Sequence, residues 1–375
     1  MSTFRVASFN VENLFARPKV FNFRDKSVGD TILARIGEFR KILKKRSYTA
    51  ADKRKLVKLF TQDPTSSDPE KKPLTNYILI REDRGGKLWK RTNGKITGVK
   101  VSGYDALDLT IEFKKSKYSE MARENTGKVI RSVKADIACI VEADNRDTLK
   151  RFDSDVLNYR YRYEMLVDGN DRRGIDVGLY SRFPLGGIWT HIFDGRSSRT
   201  FSRDCPEYEI ILPDGQPLYI LCNHLKSKGY DFNGTASQRR KRQATAIKDI
   251  LAEYDLRNDW VVVAGDLNDT PDSDPLKPLM DVRNMHDVLE LQFGDAMEKR
   301  WTYHYRSFEQ IDYLLVSKPL KERFIEAGVH RKGIAKLEQL TTNDPDVPVE
   351  KEYDTVTTWT NQASDHGAVW ADFDM

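Results

Sequence analysis

Acids, amides and one histidine recur along this chain, each at or beside an apolar run. In chain order they occur in Phe9-Asn10-Val11-Glu12, Ile140-Val141-Glu142, Gly265-Asp266-Leu267-Asn268, Gln310-Ile311-Asp312-Tyr313 and Ser364-Asp365-His366. The apolar runs are of strand type. If those strands are neighbours, their ends bring the polar groups into one cleft. Such a set could hold a hard divalent cation and hydrolyse a phosphate ester.

Each residue has a plainer reading beside that one. Asn10 and Glu12 alternate with Phe9 and Val11, so they share one strand face, and a solvent-facing edge competes for Glu12. Glu142 ends an apolar strand, where a carboxylate is costly unless a positive group meets it. The competing role is a cap for the next turn. Asp266 and Asn268 are two apart and can face the cleft together, although Asp269 to Pro271 carries turn chemistry. Asp312 faces away from Ile311 and Tyr313. A carboxylate there, paired with His366, would fix the imidazole tautomer and stabilise its cation. Asp365 adds a carboxylate for a metal. Lys226 and Lys228, and the run Arg239 to Arg242, could meet phosphates or simply face solvent.

The elements that must position these residues can be outlined. Arg5 to Asn10 reads as a first strand. Asp136 to Val141, Gly174 to Ser181, Leu218 to Asn223, Val261 to Gly265, Ile311 to Ser317 and Gly367 to Phe373 read as later ones. Helices are expected at Ser119 to Val133, burying Met121, Val129 and Ile130, and at Gln238 to Tyr254. Mixed strands with helices between them suggest a layered α/β sandwich. Between residues 17 and 118 the pattern changes. Asp30 could cap a helix to about Arg46 with Ile32, Ile36, Phe39 and Leu43 on one face. A second helix follows from Thr49 to Phe60, then short strands with turns at Gly85-Gly86 and Asn93-Gly94. This segment reads as an inserted helical hairpin plus a small β-meander.

Charge follows the same division. The 375 residues carry a net +5, yet residues 17–118 hold 26 Lys+Arg and 12 Asp+Glu, a net of +14. The remainder holds 36 and 45, a net of −9. An acidic body with a basic appendage suits metal ions on one part and a polyanion on the other. The three cysteines, Cys139, Cys205 and Cys222, lack the number and spacing of a disulfide framework or zinc site. With no apolar leader and no span-length apolar run, a cytoplasmic location without membrane insertion is expected. A monomer is expected; protein partners are not legible.

Six motifs together carry a family resemblance: Ser8 to Leu14, Asp136 to Glu142, Asn223 to Lys228, Gly265 to Asp269, Ile311 to Leu314 and Ser364 to His366. In content and order the chain resembles the endonuclease/exonuclease/phosphatase superfamily, typified by pancreatic-type deoxyribonuclease and exonuclease III-like enzymes. The Asn-His-Leu-Lys-Ser-Lys run is most similar to bacterial secreted-nuclease-type members. The resemblance covers residues 1–16 and about 119–375. It implies a four-layered α/β/β/α sandwich of two packed mixed sheets, interrupted by the basic α+β insertion. It further implies Mg²⁺ or Mn²⁺ held chiefly by Glu142 with Asn10 and Asp365, and more weakly Glu12. His224, Asp266, Asn268, Asp312 and His366 would be catalytic, with Arg173 joining Lys226 and Lys228 at the substrate phosphate. The implied activity is a phosphodiesterase, in the first instance a nuclease on DNA or RNA working by direct attack of water. Alternatives are hydrolysis of lipid or inositol phosphates, hydrolysis of a protein–nucleic-acid phosphodiester, or nucleic-acid binding without catalysis.

Overall fold

The computed structural model describes residues 2–14, 19–21, 23, 26–63, 65–85, 87–114, 120–171, 174–194, 200–228 and 235–375. The chain forms two compact units, Met1–Phe15 with Tyr118–Met375, and Ala16–Lys117.

The first unit is built on two six-stranded sheets. Its strands are β1 (Thr3–Leu14), β2 (Ile137–Ala143), β3 (Tyr163–Leu166), β4 (Asp176–Ser181), β5 (Leu185–Trp189) and β6 (Glu207–Ile211), then β7 (Pro217–His224), β8 (Trp260–Asp266), β9 (Met285–Asp287), β10 (Asp312–Ser317), β11 (Phe324–His330) and β12 (Ala368–Asp374). One sheet has the order β11-β12-β1-β2-β4-β3, the other β9-β10-β8-β7-β6-β5. Both are mixed. β1 runs parallel to β2 and β7 parallel to β8, each pair inside its sheet. Interior parallel strands must be apolar on both faces, which β2 and β8 satisfy until their last residues.

Alternation then assigns the layers. Phe4 and Val6 of β1 and Ile137, Cys139 and Val141 of β2 pack with Leu218, Ile220 and Cys222 of β7 and Val262 and Ala264 of β8. The two sheets therefore face each other. The residues between, Ala7, Phe9, Ala138 and Ile140, meet Val129 and Ile130 of helix α1 (Glu120–Val133) and Leu149 and Phe152 of α2 (Arg146–Phe152). On the far side Leu221, Val261 and Val263 meet Ala244, Ile247 and Leu251 of α3 (Thr235–Leu251). The product is a four-layered α/β/β/α sandwich. Met121 departs from expectation: it lies in the first turn of α1 and stays 49 % exposed. The buried face of α1 is instead Asn125, Thr126, Val129, Ile130 and Val133.

The second unit contains helices Lys26–Leu43 and Ala50–Thr61. The first begins before Asp30, because Val28 extends the apolar stripe of Ile32 and Ile36 back by one turn. Thr49 and Asp52 close a capping box on the second. The expected meander is not formed. Strand Ile78–Gly85 pairs with Leu107–Phe113, and Trp89–Thr92 with Lys95–Val99 forms a separate hairpin between them. Asn93 and Gly94, with φ of 48° and 76°, make its tight turn. The turn expected at Gly85-Gly86 falls partly on Gly86, outside the described residues; Gly85 itself pairs with Leu107. No helix among the described residues is long and apolar enough to cross a membrane. All three cysteines are buried and free.

Candidate active site

Strand parity delivers four polar residues to the space between the sheets. Phe4 and Val6 put the even positions of β1 on that face, so Asn10 arrives there too. His224 continues Leu218, Ile220 and Cys222; Asp266 continues Val262 and Ala264; Asp312 precedes Leu314 and Val316 on the same face. All four are buried. Register sets His224 beside Asp266 and Asp266 opposite Asp312. Gly265 is needed here: with φ of 140°, a Cβ would lie 1.9 Å from the Asn223 carbonyl oxygen. Asn10 Nδ2 donates to Asp266 Oδ2 at 3.1 Å and so joins the two sheets at this end.

Glu142 reaches the cleft by breaking the same parity. Alternation would place it with Ala138 and Ile140, under the helices. Its backbone is left-handed, φ 70°, and the ladder to β4 slips between Val141 and Ala143. Ala143 thereby returns to the helix side, while Glu142 Oε1 lies 3.8 Å from His224 Nε2. A left-handed Glu costs on the order of 1 kcal/mol, and such strain gathers at functional sites. Glu12 is also left-handed, φ 48°, at the bulge that ends regular pairing of β1 and β2. Its carboxylate accepts from Gln362 Nε2 at 2.6 Å.

The acids are held by identifiable donors. Asp266 Oδ1 accepts from the Asn268 backbone N–H at 2.8 Å, and Oδ2 accepts from Asn268 Nδ2 at 3.0 Å. Asn268 Nδ2 also donates to the Leu225 carbonyl at 3.2 Å. Its amide hydrogens are thus committed to these neighbours. Burial, then the Asp312 charge, pushes the Asp266 carboxyl up to about 7. His366 Nδ1 lies 2.8 Å from Asp312 Oδ2, and His366 Nε2 lies 3.8 Å from Asp365 Oδ1. Burial opposes charge on His366, but Asp312, with help from Asp365 and Asp266, outweighs it and raises the imidazole to about 10. Ser364 Oγ donates to the Asn10 carbonyl at 2.6 Å and accepts from the His366 N–H at 3.0 Å, tying the ends of the chain together.

The basic candidates divide. Arg173 lies outside the described residues. Lys228 Nζ is 3.0 Å from Glu309 and 3.3 Å from Asp269, so two carboxylates already meet it. Of the Arg239 to Arg242 run, Arg240 is buried in place of facing solvent. Its Nε donates to Asp269 Oδ2 and its Nη1 to the Lys226 carbonyl, both at 2.9 Å. Gln243 Oε1 accepts from the Lys226 N–H at 2.9 Å. These two residues of α3 clamp the segment that follows His224. Their signal was present in the sequence: Ala236, Arg240, Gln243 and Ile247 share the helical spacing of a buried face. Thr302 was also missed; its buried Oγ1 accepts from the N–H groups of Ile311 and Asp312, each at 3.1 Å.

The donor chemistry fits a divalent cation. Ligand atoms of Asp266, Asp312 and His366 come within 4.8 Å of one another, among the described residues. Asp312 Oδ2 meets His366, but Oδ1 is buried with no hydrogen-bond donor and has room for a further donor or cation. Glu142, Asp365 and Asn10 add hard oxygens around the same cleft. No thiol belongs to the set, since the cysteines are in the apolar cores. Oxygen-rich sites of this kind suit Mg²⁺- or Mn²⁺-type ions over soft metals.

Comparison with known proteins gives three results. Solved structures similar to this chain include zebrafish (D. rerio) TDP2 complexed with single-strand DNA product, at 16 % identity over 68 % of this chain and 94 % of that one, TM-score 0.48. Truncated Caenorhabditis elegans TDP2 gives 16 %, 68 %, 90 % and 0.46, and Staphylococcus aureus beta toxin 275-280 gives 19 %, 67 %, 90 % and 0.48. No curated protein matches the sequence. A model of the Endonuclease/Exonuclease/phosphatase family matches residues 119–366, a stretch that includes Glu142, His224, Asp266, Asp312 and His366. The chain belongs to this family, whose members are hydrolases acting on phosphodiester bonds and are generally dependent on a divalent metal.

Proposed function

We propose that the protein is a nuclease, hydrolysing nucleic-acid phosphodiesters with Mg²⁺ or Mn²⁺ by direct attack of water. The observation that carries this reading is the convergence of half-buried Glu142 with the buried Asn10, His224, Asp266, Asp312 and His366 at one end of the two sheets. A purely binding protein has no use for so many buried acids facing a polyanion.

Glu142, Asn10 and Asp365 would hold the cation; Glu12 is omitted because Gln362 engages its carboxylate. When bound, the cation supplies charge neutralisation at a non-bridging phosphate oxygen. Asp266, fixed by Asn10 and Asn268, orients the attacking water and takes its proton. Asn268 acts through Asp266, since its own N–H bonds are committed. His224 Nε2 donates to the phosphate, where charge accumulates in the transition state. His366 holds a proton at Nε2 toward the reacting phosphate while Asp312 anchors Nδ1. Among the described residues no hydroxyl or thiol is hydrogen-bonded to the ring of His366, which favours water over a covalent intermediate.

The test is a parallel assay of single- and double-stranded DNA, RNA, phospholipid and inositol phosphate with Mg²⁺, Mn²⁺ or chelator. Glu142→Gln protein serves as the blank. Metal-dependent cleavage of a nucleic acid supports the reading; turnover of lipid or inositol phosphate alone overturns the substrate class.

A further inference from the structure

We propose that the inserted unit, Ala16–Lys117, is a nucleic-acid grip that binds the phosphodiester backbone through one continuous basic surface. This rests on the nuclease reading only for the identity of the polymer as substrate; the binding is measurable without turnover. The unit lies outside the residues matched by the family model.

Two basic runs distant in sequence supply the surface. Residues 41–62 contain eight Lys/Arg and one acid, Asp52. Residues 84–103 contain six Lys/Arg and no acid. Packing joins them. Phe39 of the first helix, Phe60 of the second and Trp89 of the hairpin stack in one core, with Phe60 and Trp89 centroids 4.8 Å apart. The connection between the helices is stitched to the chain leaving the hairpin: the Tyr48 N–H donates to the Ser102 carbonyl at 2.6 Å, and the Tyr104 N–H to the Lys45 carbonyl at 2.9 Å. The approach is so close that a Cβ on Gly103 would meet the Arg46 carbonyl oxygen at 1.6 Å. Lys44 and Arg46 are therefore held beside the segment carrying Lys100.

The structure separates cations with internal duties from the remainder. Arg35 donates to the carbonyls of Glu70 and Lys72, Lys45 pairs with Asp52, and Lys55 pairs with Glu38. Asp52 is itself engaged by Thr49 in the helix cap. Lys44, Arg46, Arg54 and Lys58 are exposed, as are Lys90 and Lys95 of the hairpin, whereas Arg91 Nη1 donates to the Gly94 carbonyl at 3.1 Å. Among the described residues, the acids near these cations are few: Asp52 and Glu38 are paired with Lys45 and Lys55, and exposed Asp105 lies at the border beside Tyr104. Among the described residues the surface also lacks an apolar edge for a membrane. Leu56 and Phe60 of the second helix are buried in the unit's own core. The exposed large hydrophobics among its described residues are Leu79 and Tyr104. An interfacial helix needs an open apolar face, whereas a phosphate backbone needs cations alone.

The experiment compares the full chain with a Lys44→Glu/Arg46→Glu/Arg54→Glu/Lys58→Glu variant. Binding to a short DNA duplex is titrated in chelator over a range of salt, and hydrolysis of bis(p-nitrophenyl) phosphate is measured separately with metal. Each phosphate contact contributes about −0.9 to the slope of log K against log[salt]. The variant should lose roughly 2–4 units of slope and at least tenfold in affinity, raise KM on long DNA, and keep the small-substrate rate and the parental melting temperature. An unchanged slope overturns the proposal, as does parental protein that binds phosphatidylserine vesicles in preference to DNA. Parental protein that binds DNA with the expected slope and cleaves nothing leaves the grip standing and removes the nuclease reading.

Discussion

Asn10 and Asp266 stand 256 positions apart, yet Asn10 Nδ2 donates to Asp266 Oδ2 at 3.1 Å in a buried contact. One residue belongs to each sheet, so this bond both closes the sandwich at the end that holds the candidate site and fixes a carboxylate. Burial and the facing Asp312 already push Asp266 up to about 7, so any loss of donors would raise it further.

If Asp266 acts on the attacking water as proposed, Asp266→Asn should lower kcat by about 10²–10⁴ with KM nearly unchanged. Asn10→Ala should show a smaller loss together with destabilisation of about 1–3 kcal/mol from a buried acceptor left short of a donor. Steady-state kinetics and urea unfolding check the pair. A rise in KM with kcat intact would show that Asp266 only binds substrate.

The bond between His366 Nδ1 and Asp312 makes these residues one unit. His366→Ala and Asp312→Asn should each reduce turnover strongly, and the double variant should be no worse than His366→Ala alone. Multiplying losses would mean that Asp312 acts elsewhere.

As the proposed metal ligand, Glu142 should couple metal to stability. In chelator its carboxylate adds to a buried acidic cluster, so Glu142→Gln should melt no lower than the parent. With Mg²⁺ or Mn²⁺ the parent should gain stability with ion concentration, and the variant should gain much less. Thermal melts over a metal titration give the answer; equal gains would remove Glu142 from the ligand set.

Arg240 is a positioning residue joined to Asp269 and the Lys226 carbonyl. Arg240→Ala removes two donors from Asp269 and one from the Lys226 carbonyl, leaves Lys228 as the remaining cation at Asp269, and should cost about 1–3 kcal/mol. Arg240→Lys keeps the charge but not the fork, so it should recover part of the stability while kcat stays depressed, His224 losing its fixed approach. Full recovery of kcat by lysine would show that geometry at Lys226 is unimportant.

What was legible in the sequence follows from how local its cause is. Asn10, His224, Asp266 and Asp312 obey strand alternation, so their apolar neighbours announce the face they take. Glu142 was legible as a residue but not in its direction, because a left-handed backbone at φ 70° is set by the tertiary environment and has no mark in a Glu. For Arg240, residue type alone allows a phosphate contact or a solvent-facing place, although its spacing with Ala236 and Ile247 is that of the core. In the insertion, the Asn93-Gly94 turn was local and visible. The pairing of Ile78–Gly85 with Leu107–Phe113 spans an intervening hairpin, and residue propensities contain no record of such a register.

A last expectation concerns pH and a histidine outside the candidate site set. His191 sits between two acids, Nε2 at 2.8 Å from Glu207 Oε1 and Nδ1 at 2.8 Å from Asp194 Oδ2. Burial works against the imidazolium, but Glu207 and Asp194 together prevail and raise it to about 9. The folded chain therefore keeps a proton that the unfolded chain releases near pH 6.5. The stabilisation is complete below about 6.5, declines as pH rises, and is gone above about 9. It amounts to a few kcal/mol at most. His191→Gln should consequently lose stability against the parent at pH 6, with the gap narrowing steadily to pH 9.5. Urea unfolding midpoints of the two proteins across that range measure it, and a gap independent of pH would show that His191 serves by packing alone.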